Sequence, residues 1–166
     1  AEGIGLVYGG GNVGMMGELA NAVVAAGGRV TGVIPKALME REVALTQLDD
    51  LRVVDSMHSR KALMADLSDG FIALPGGVGT LEEFIEVLTW AQLGLHAKPC
   101  ALLNTKGYFN TLLGFLDHII TEKFMAEVHR ELIITGNEPA SLLDTMRVFE
   151  PPVFDKATWA KGLNGR

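Results

Sequence analysis

The run Pro75-Gly76-Gly77-Val78-Gly79-Thr80-Leu81-Glu82-Glu83 carries the strongest chemical signal in the sequence. It follows an apolar segment and opens an amphipathic one, so it reads as the turn between a strand and a helix. Unpaired backbone N–H groups and the positive end of the helix dipole converge at such a turn, which makes it an anion site. The missing Gly-Lys-Ser/Thr ending excludes a Walker-type triphosphate loop. The expected ligand is the phosphate of a nucleotide-like small molecule. An ordinary alternative is a tight turn with a capping box, because Thr80 and Glu83 have the required spacing. On either view Glu83 is expected in the first helical turn, beside the anion site.

Arg60 is the second anomaly. In Met57-His58-Ser59-Arg60-Lys61-Ala62-Leu63-Met64 it falls on the helical stripe of Met57, Met64 and Leu67. A guanidinium on an apolar face demands an anionic partner or access to a cleft. The plainer alternatives are a snorkelling side chain or a pair with Asp66 or Asp69. Lys61 alone reads as surface charge, and His58 as surface or a supporting donor. Glu42 lies in a loop after a strand and carries no signal by itself.

Gly9-Gly10-Gly11-Asn12-Val13-Gly14 formally matches the dinucleotide pattern G-x-G-x-x-G. That reading also wants an acid at the end of the next strand, which instead closes Val33-Ile34-Pro35-Lys36. A tight strand–helix turn lining a pocket wall is therefore preferred to an NAD or FAD site. The four histidines lack metal-ligand spacing, and no G-x-S-x-G elbow is present. No metal or other cofactor is expected.

These residues need a scaffold, and the pattern supplies one. β-Branched runs alternate with amphipathic stretches, the signature of parallel βαβ units. Strands are expected at about 5–8, 29–34, 51–54, 70–74, 99–103 and 132–134. Helices are expected at about 13–26, 57–67, 81–95, 108–122 and 139–148. The fold class is α/β, a doubly wound parallel sheet with helices on both faces, and both glycine clusters fall at strand carboxyl ends, where such sheets bind ligands. Phe71-Ile72-Ala73-Leu74 is apolar without alternation, as when helices cover both faces. On the helix that follows, Leu81, Phe84, Ile85, Leu88 and Leu95 should pack on the sheet. Val87, Trp90 and Gly94 form a second stripe, suited to a pocket wall or a subunit contact.

Bulk properties narrow the class further. A chain of 166 residues with 48% apolar content fits one domain with a proper core, expected over residues 1–150 with a carboxyl-terminal arm at 151–166 bearing Trp159. The net charge of −6 and the lack of a basic block argue against nucleic acid. Cys100 is the only cysteine, no apolar run reaches the ~18 residues of a membrane span, and no signal peptide is visible, so a cytoplasmic protein is expected. The opening at Ala1 without Met, close to a buried strand, implies a preceding segment.

Met57-His58-x-Arg60-Lys61 followed by Pro75-Gly76-Gly77-x-Gly79-Thr80-x-x-Glu83 closely resembles the Lonely Guy family. The likeness runs from about Gly3 to Leu143 and includes Gly9 through Gly17 and Thr89-Trp90-Ala91-Gln92-Leu93-Gly94. The resemblance implies a Rossmann-like, usually dimeric protein. Its activity would be that of a cytokinin riboside 5′-monophosphate phosphoribohydrolase, which releases a free adenine-type base and ribose 5-phosphate. It implies Arg60 and Glu83 as the catalytic pair. Substrate contacts would be Glu42, Arg60, Lys61, Gly77, Val78, Gly79, Thr80, Leu81, Glu82 and Glu83. Family members carry an upstream strand and helix with a Gly-Ser-Ser turn that this sequence lacks. The label "lysine decarboxylase-like", often attached to the family, implies pyridoxal phosphate on a Schiff-base lysine, and no motif here sets one up. A general nucleoside 5′-monophosphate nucleosidase and a non-catalytic nucleotide sensor are the rival readings.

Overall fold

Short runs of β-branched and other apolar residues pair into two three-stranded parallel sheets in the computed structural model, which describes residues 3–39, 48 and 50–153. The chain divides into two compact units, Ala1–Ser68 and Asp69–Arg166.

In the first unit β1 (Leu6–Tyr8), β2 (Val30–Pro35) and β3 (Asp50–Val54) lie side by side in that order, with Leu6 opposite Val30 and Thr31 opposite Asp50. Helix α1 (Met15–Ala25) connects the first two strands, and α2 (Met57–Leu67) follows the third. Tyr8, Ala20 and Val30 form a buried cluster, joined by Leu6, Val23 and Leu48. A Cβ built on Gly9 would instead run into Arg60 of α2. Because Gly9 alternates with Tyr8, α1 and α2 take opposite faces of this sheet. Helix α2 starts where the sequence predicts, since the Ser56 hydroxyl accepts the Ser59 N–H at 3.0 Å and caps it.

The second unit carries β4 (Phe71–Ala73), α3 (Val78–Gln92), β5 (Cys100–Leu103), α4 (Asn110–Thr121), β6 (Ile133–Gly136) and α5 (Pro139–Arg147). Its strands run β4-β5-β6, with Phe71 opposite Cys100 and Cys100 opposite Ile133. The central strand is dry, with Cys100, Ala101 and Leu102 at 0% exposure. Cys100 and Leu102 pack with Phe84, Leu88, Phe109 and Leu116 from the α3 and α4 side. Ala101 packs with Ile134 and Leu142 on the α5 side. Burying a Leu or Phe side chain in this way stabilises by about 1.5–3 kcal/mol. Parallel, sequential strands with helices on both faces make the protein α/β and Rossmann-like.

Three expectations need correction. Helix α3 begins at Val78 and ends at Gln92, not at Leu81 and Leu95. On its core face Leu81, Phe84 and Leu88 pack inward as expected, but Val87 and Ala91 join them. Ile85 and Leu95 are exposed, Leu95 because it lies past the end of the helix. Finally, β4 is an edge strand of its own sheet, and Ile72 remains 36% exposed instead of covered. Short 3-10 segments at Lys36–Leu38, Thr105–Gly107 and Glu127–Leu132 had no signature in the pattern. Glu42 and Trp159 lie outside the described residues, as does the arm from residue 154.

Candidate functional site

The first glycine cluster forms the tight turn between β1 and α1. Gly10 and Gly14 adopt φ of 76° and 62°, a region that side chains with a Cβ enter only at a cost, and Gly14 sits at the start of α1. Gly9 is glycine for a different reason. A Cβ there would occupy the position of the Arg60 guanidinium. Arg60 is 5% exposed, so it does not snorkel. Its Nη2 donates to the Gly9 carbonyl oxygen at 2.9 Å, and its Nη1 lies 3.6 Å from the Met57 sulfur. The face that looked merely apolar is therefore polarised by a backbone acceptor and a soft sulfur, and the bond to the carbonyl is strengthened by the charge on its donor. Lys61 follows half-buried on the same helix, and His58 is exposed.

In the second unit the glycine turn delivers the chain into α3. Gly77 is the residue before the helix, at φ −87° and ψ −159°, and it makes no side-chain cap. The first N–H groups of a helix have no intrahelical acceptor, so Val78, Gly79 and Thr80 present theirs at this end. Gly77 and Gly79 are exposed, and a Cβ on either would meet nothing within 4 Å. Neither local packing nor, for Gly77, a left-handed φ requires glycine there. Gly76 differs, since a Cβ on it would strike the Thr80 hydroxyl.

The early start of α3 changes two readings. Thr80 becomes the third residue inside the helix, so the Thr80–Glu83 spacing does not mark a capping box. Glu83 moves from the first turn into the second, where it is half-buried, next to an exposed Glu82. Val78, Leu81, Glu82, Ile85 and Glu86 line a wide-open depression of about 450 Å³. Three of the five, Val78, Leu81 and Glu82, lie on the first two turns of the helix, beside the glycine turn.

Two participants were not visible in the sequence. The Gly9 carbonyl accepts a hydrogen bond from Arg60 across 51 positions of chain. Tyr108, in the loop after β5, donates its hydroxyl to the Gly76 carbonyl at 2.7 Å. The only local hint was the Asn104/Gly107 turn chemistry around it.

The parallel sheets, with glycine turns after β1 and β4, define a Rossmann-like protein. The family model described as "Possible lysine decarboxylase" matches residues 16–146. A rice protein (Oryza sativa subsp. japonica) named probable cytokinin riboside 5′-monophosphate phosphoribohydrolase is 48% identical over 162 residues, covering 96% of this chain and 65% of the relative. A second rice protein of that name is 50% identical over 151 residues, covering 91% and 66%. An Arabidopsis thaliana cytokinin riboside 5′-monophosphate phosphoribohydrolase is 49% identical over 155 residues, covering 93% and 71%. The chain thus spans about two thirds of the length of the first of these relatives. The chain belongs to the Lonely Guy family, as its motifs indicated.

Proposed function

We propose that this protein is a phosphoribohydrolase. It hydrolyses the N-glycosidic bond of cytokinin (N6-substituted adenine) riboside 5′-monophosphates, and also of AMP, to the free base and ribose 5-phosphate. The observation that carries this reading is identity of 48% to 50% with relatives of that printed name over more than nine tenths of the chain.

The chemistry asks for a group that holds a phosphate and groups that stabilise an oxocarbenium-like ribose. Gly77, Val78, Gly79 and Thr80 supply the backbone donors for the phosphate, and binding there positions the reacting centre. Glu83 supplies the carboxylate that stabilises the positive ribose, orients its hydroxyls or activates water. Arg60 supplies the charge that offsets crowding of anions and helps the base depart. Lys61, Leu81, Glu82 and Glu42 complete the proposed substrate contacts. No metal or cofactor enters this scheme.

The same proposal takes the chain as one nucleotide-binding domain, cytoplasmic on the strength of its lone Cys100, with no nucleic-acid partner. Among the described residues no helix is long and apolar enough to cross a membrane. The working state is a homodimer with α3 at or near the contact. Support comes from the apolar row Val78, Ile85 and Leu93, exposed by 83%, 38% and 59%. That row replaces the Val87, Trp90 and Gly94 stripe as the candidate contact, since Val87 packs against the core.

The deciding experiment is chromatography of products from a panel of nucleoside monophosphates, with AMP and N6-prenylated AMP side by side. Free base and ribose 5-phosphate from the prenylated substrate in excess over AMP supports the reading. Equal rates would favour a general nucleosidase, and no product from any member would favour a sensor.

A further inference from the structure

Strands β4 and β5 are parallel neighbours, so the loops after them leave the sheet at the same edge. One loop is the glycine turn. The other holds Tyr108, whose hydroxyl donates to the Gly76 carbonyl at 2.7 Å. The Tyr108 side chain is not there to be buried, for it is 54% exposed. Its ring stands edge-on to Phe109, with centroids 5.0 Å apart and planes at 89°. Phe109 is fully enclosed, and its N–H donates to the Asn104 Oδ1 at 2.7 Å. Asn104 in turn donates to the Asn110 Oδ1 at 2.8 Å, and its backbone N–H donates to the Gly136 carbonyl at 2.8 Å. Lys106 within this loop adopts φ 55°, a left-handed conformation that a non-glycine residue keeps only when its surroundings over-determine it. The loop is an arm tied down by these bonds, and it ends in one hydroxyl.

The target of that hydroxyl is informative. A peptide unit is planar and trans, so its carbonyl and its N–H point in opposite directions and turn together. The carbonyl of Gly76 and the N–H of Gly77 belong to one such plane. Glycine stands on both sides of it, so no Cβ resists its rotation. Left alone, this peptide could flip and point an oxygen where a phosphate needs a donor. We infer that Tyr108 is a positioning residue for the anion-holding turn: its hydroxyl locks the Gly76–Gly77 peptide and aims the Gly77 N–H at the bound phosphate. The inference rests on the nucleotide reading given above, but it concerns a residue outside the substrate contacts named there. A hydrogen bond to the carbonyl also polarises the amide, which makes its N–H a better donor.

Tyr108→Phe removes the hydroxyl and leaves the ring on Phe109, so the fold and the thermal midpoint should barely change. Affinities for AMP and adenosine are measured by calorimetry, and amide exchange at residues 77–80 by NMR. AMP binding is expected to weaken roughly tenfold, the size of one lost hydrogen bond, while adenosine binding stays as in the wild type and the Gly77 amide exchanges faster. Equal weakening for AMP and adenosine would mean a general structural staple and overturn the inference. So would an unchanged Gly77 exchange rate. If the wild-type protein itself did not prefer AMP to adenosine, the nucleotide reading would fail, and the exchange rate alone would then decide whether Tyr108 locks the peptide.

Discussion

Arg60 and Gly9 lie 51 positions apart, yet the guanidinium Nη2 sits 2.9 Å from the glycine carbonyl and occupies the space a Cβ would need. The proposed catalytic arginine is thus seated on the first glycine turn. This gives the turn a function without a dinucleotide. It also predicts that Gly9→Ala will behave like a mutation of Arg60. Displacing the guanidinium costs a charge-assisted hydrogen bond worth about 1.5–3 kcal/mol, and turnover should fall with it. A Gly9→Ala protein with wild-type turnover and an unshifted melt would show that Arg60 does not depend on this seat. Arg60→Lys should not rescue activity, because an ammonium lacks the planar fork.

Phosphate dependence follows from the proposed anion site of backbone donors. AMP-type substrates should exceed the matching nucleosides by orders of magnitude in kcat/KM. Comparable values for AMP and adenosine would remove the phosphate role from Gly77 through Thr80. In the same assays lysine should yield no cadaverine, with or without added pyridoxal phosphate.

Some of this was legible in the sequence and some was not, for physical reasons. The sequence pattern places helix α2 to the residue, and in the structure the Ser56 side-chain cap marks its start. Helix α3 was started three residues late because Thr80 and Glu83 imitate a capping box, whereas the true start at Gly77 uses no side chain. Ile85 and Val87 flank the inward row of Leu81, Phe84 and Leu88 on opposite sides, and apolar type alone does not tell which side turns to the sheet. The glycine turn stood out because its composition is local. The bonds Arg60–Gly9 and Tyr108–Gly76 did not, because each joins residues far apart in the chain through a backbone carbonyl, and every residue has one.

A pH effect on stability is expected from His96. The Lys98 N–H donates to its Nδ1 at 3.1 Å, so Nε2 carries the proton and donates to the Val87 carbonyl at 2.9 Å. Burial, the largest influence, lowers its pKa from the ordinary 6.5, and Lys98 adds to this against the opposing Val87 bond. A depressed value means that the unfolded chain takes up the proton first. The contribution to stability is therefore complete above about pH 6.5 and is lost as pH falls through that value toward the folded one. Thermal melts at pH 7.5 and 5.5 should show a drop that is smaller in His96→Gln, and identical slopes for the two proteins would count against this account.

Assembly can be read directly. Light scattering at micromolar concentration should give a dimer or a larger even-numbered species. Val78→Lys places a charge in the exposed α3 row and should shift the distribution toward monomer. A wild-type protein that is already monomeric would refute the proposed contact.

The sharpest test falls on Glu83. With α3 starting at Val78, Glu83 lies in the second turn and cannot act as the partner in a cap at Thr80. Glu83→Gln keeps the shape of the side chain and removes its charge, so little change in fold is expected. If that charge stabilises the ribosyl cation, turnover should fall by roughly two orders of magnitude or more, a size typical of losing one preorganised electrostatic group. AMP affinity should hold or even tighten, because the phosphate donors lie in the preceding turn and a negative neighbour disappears. Arg60→Ala should also cut turnover, and it should weaken binding as well if the guanidinium touches substrate. The two variants therefore separate a group that acts on the reacting ribose from one that also holds the ground state. Near wild-type hydrolysis by Glu83→Gln would withdraw the catalytic assignment and leave Glu83 as an ordinary half-buried carboxylate on α3.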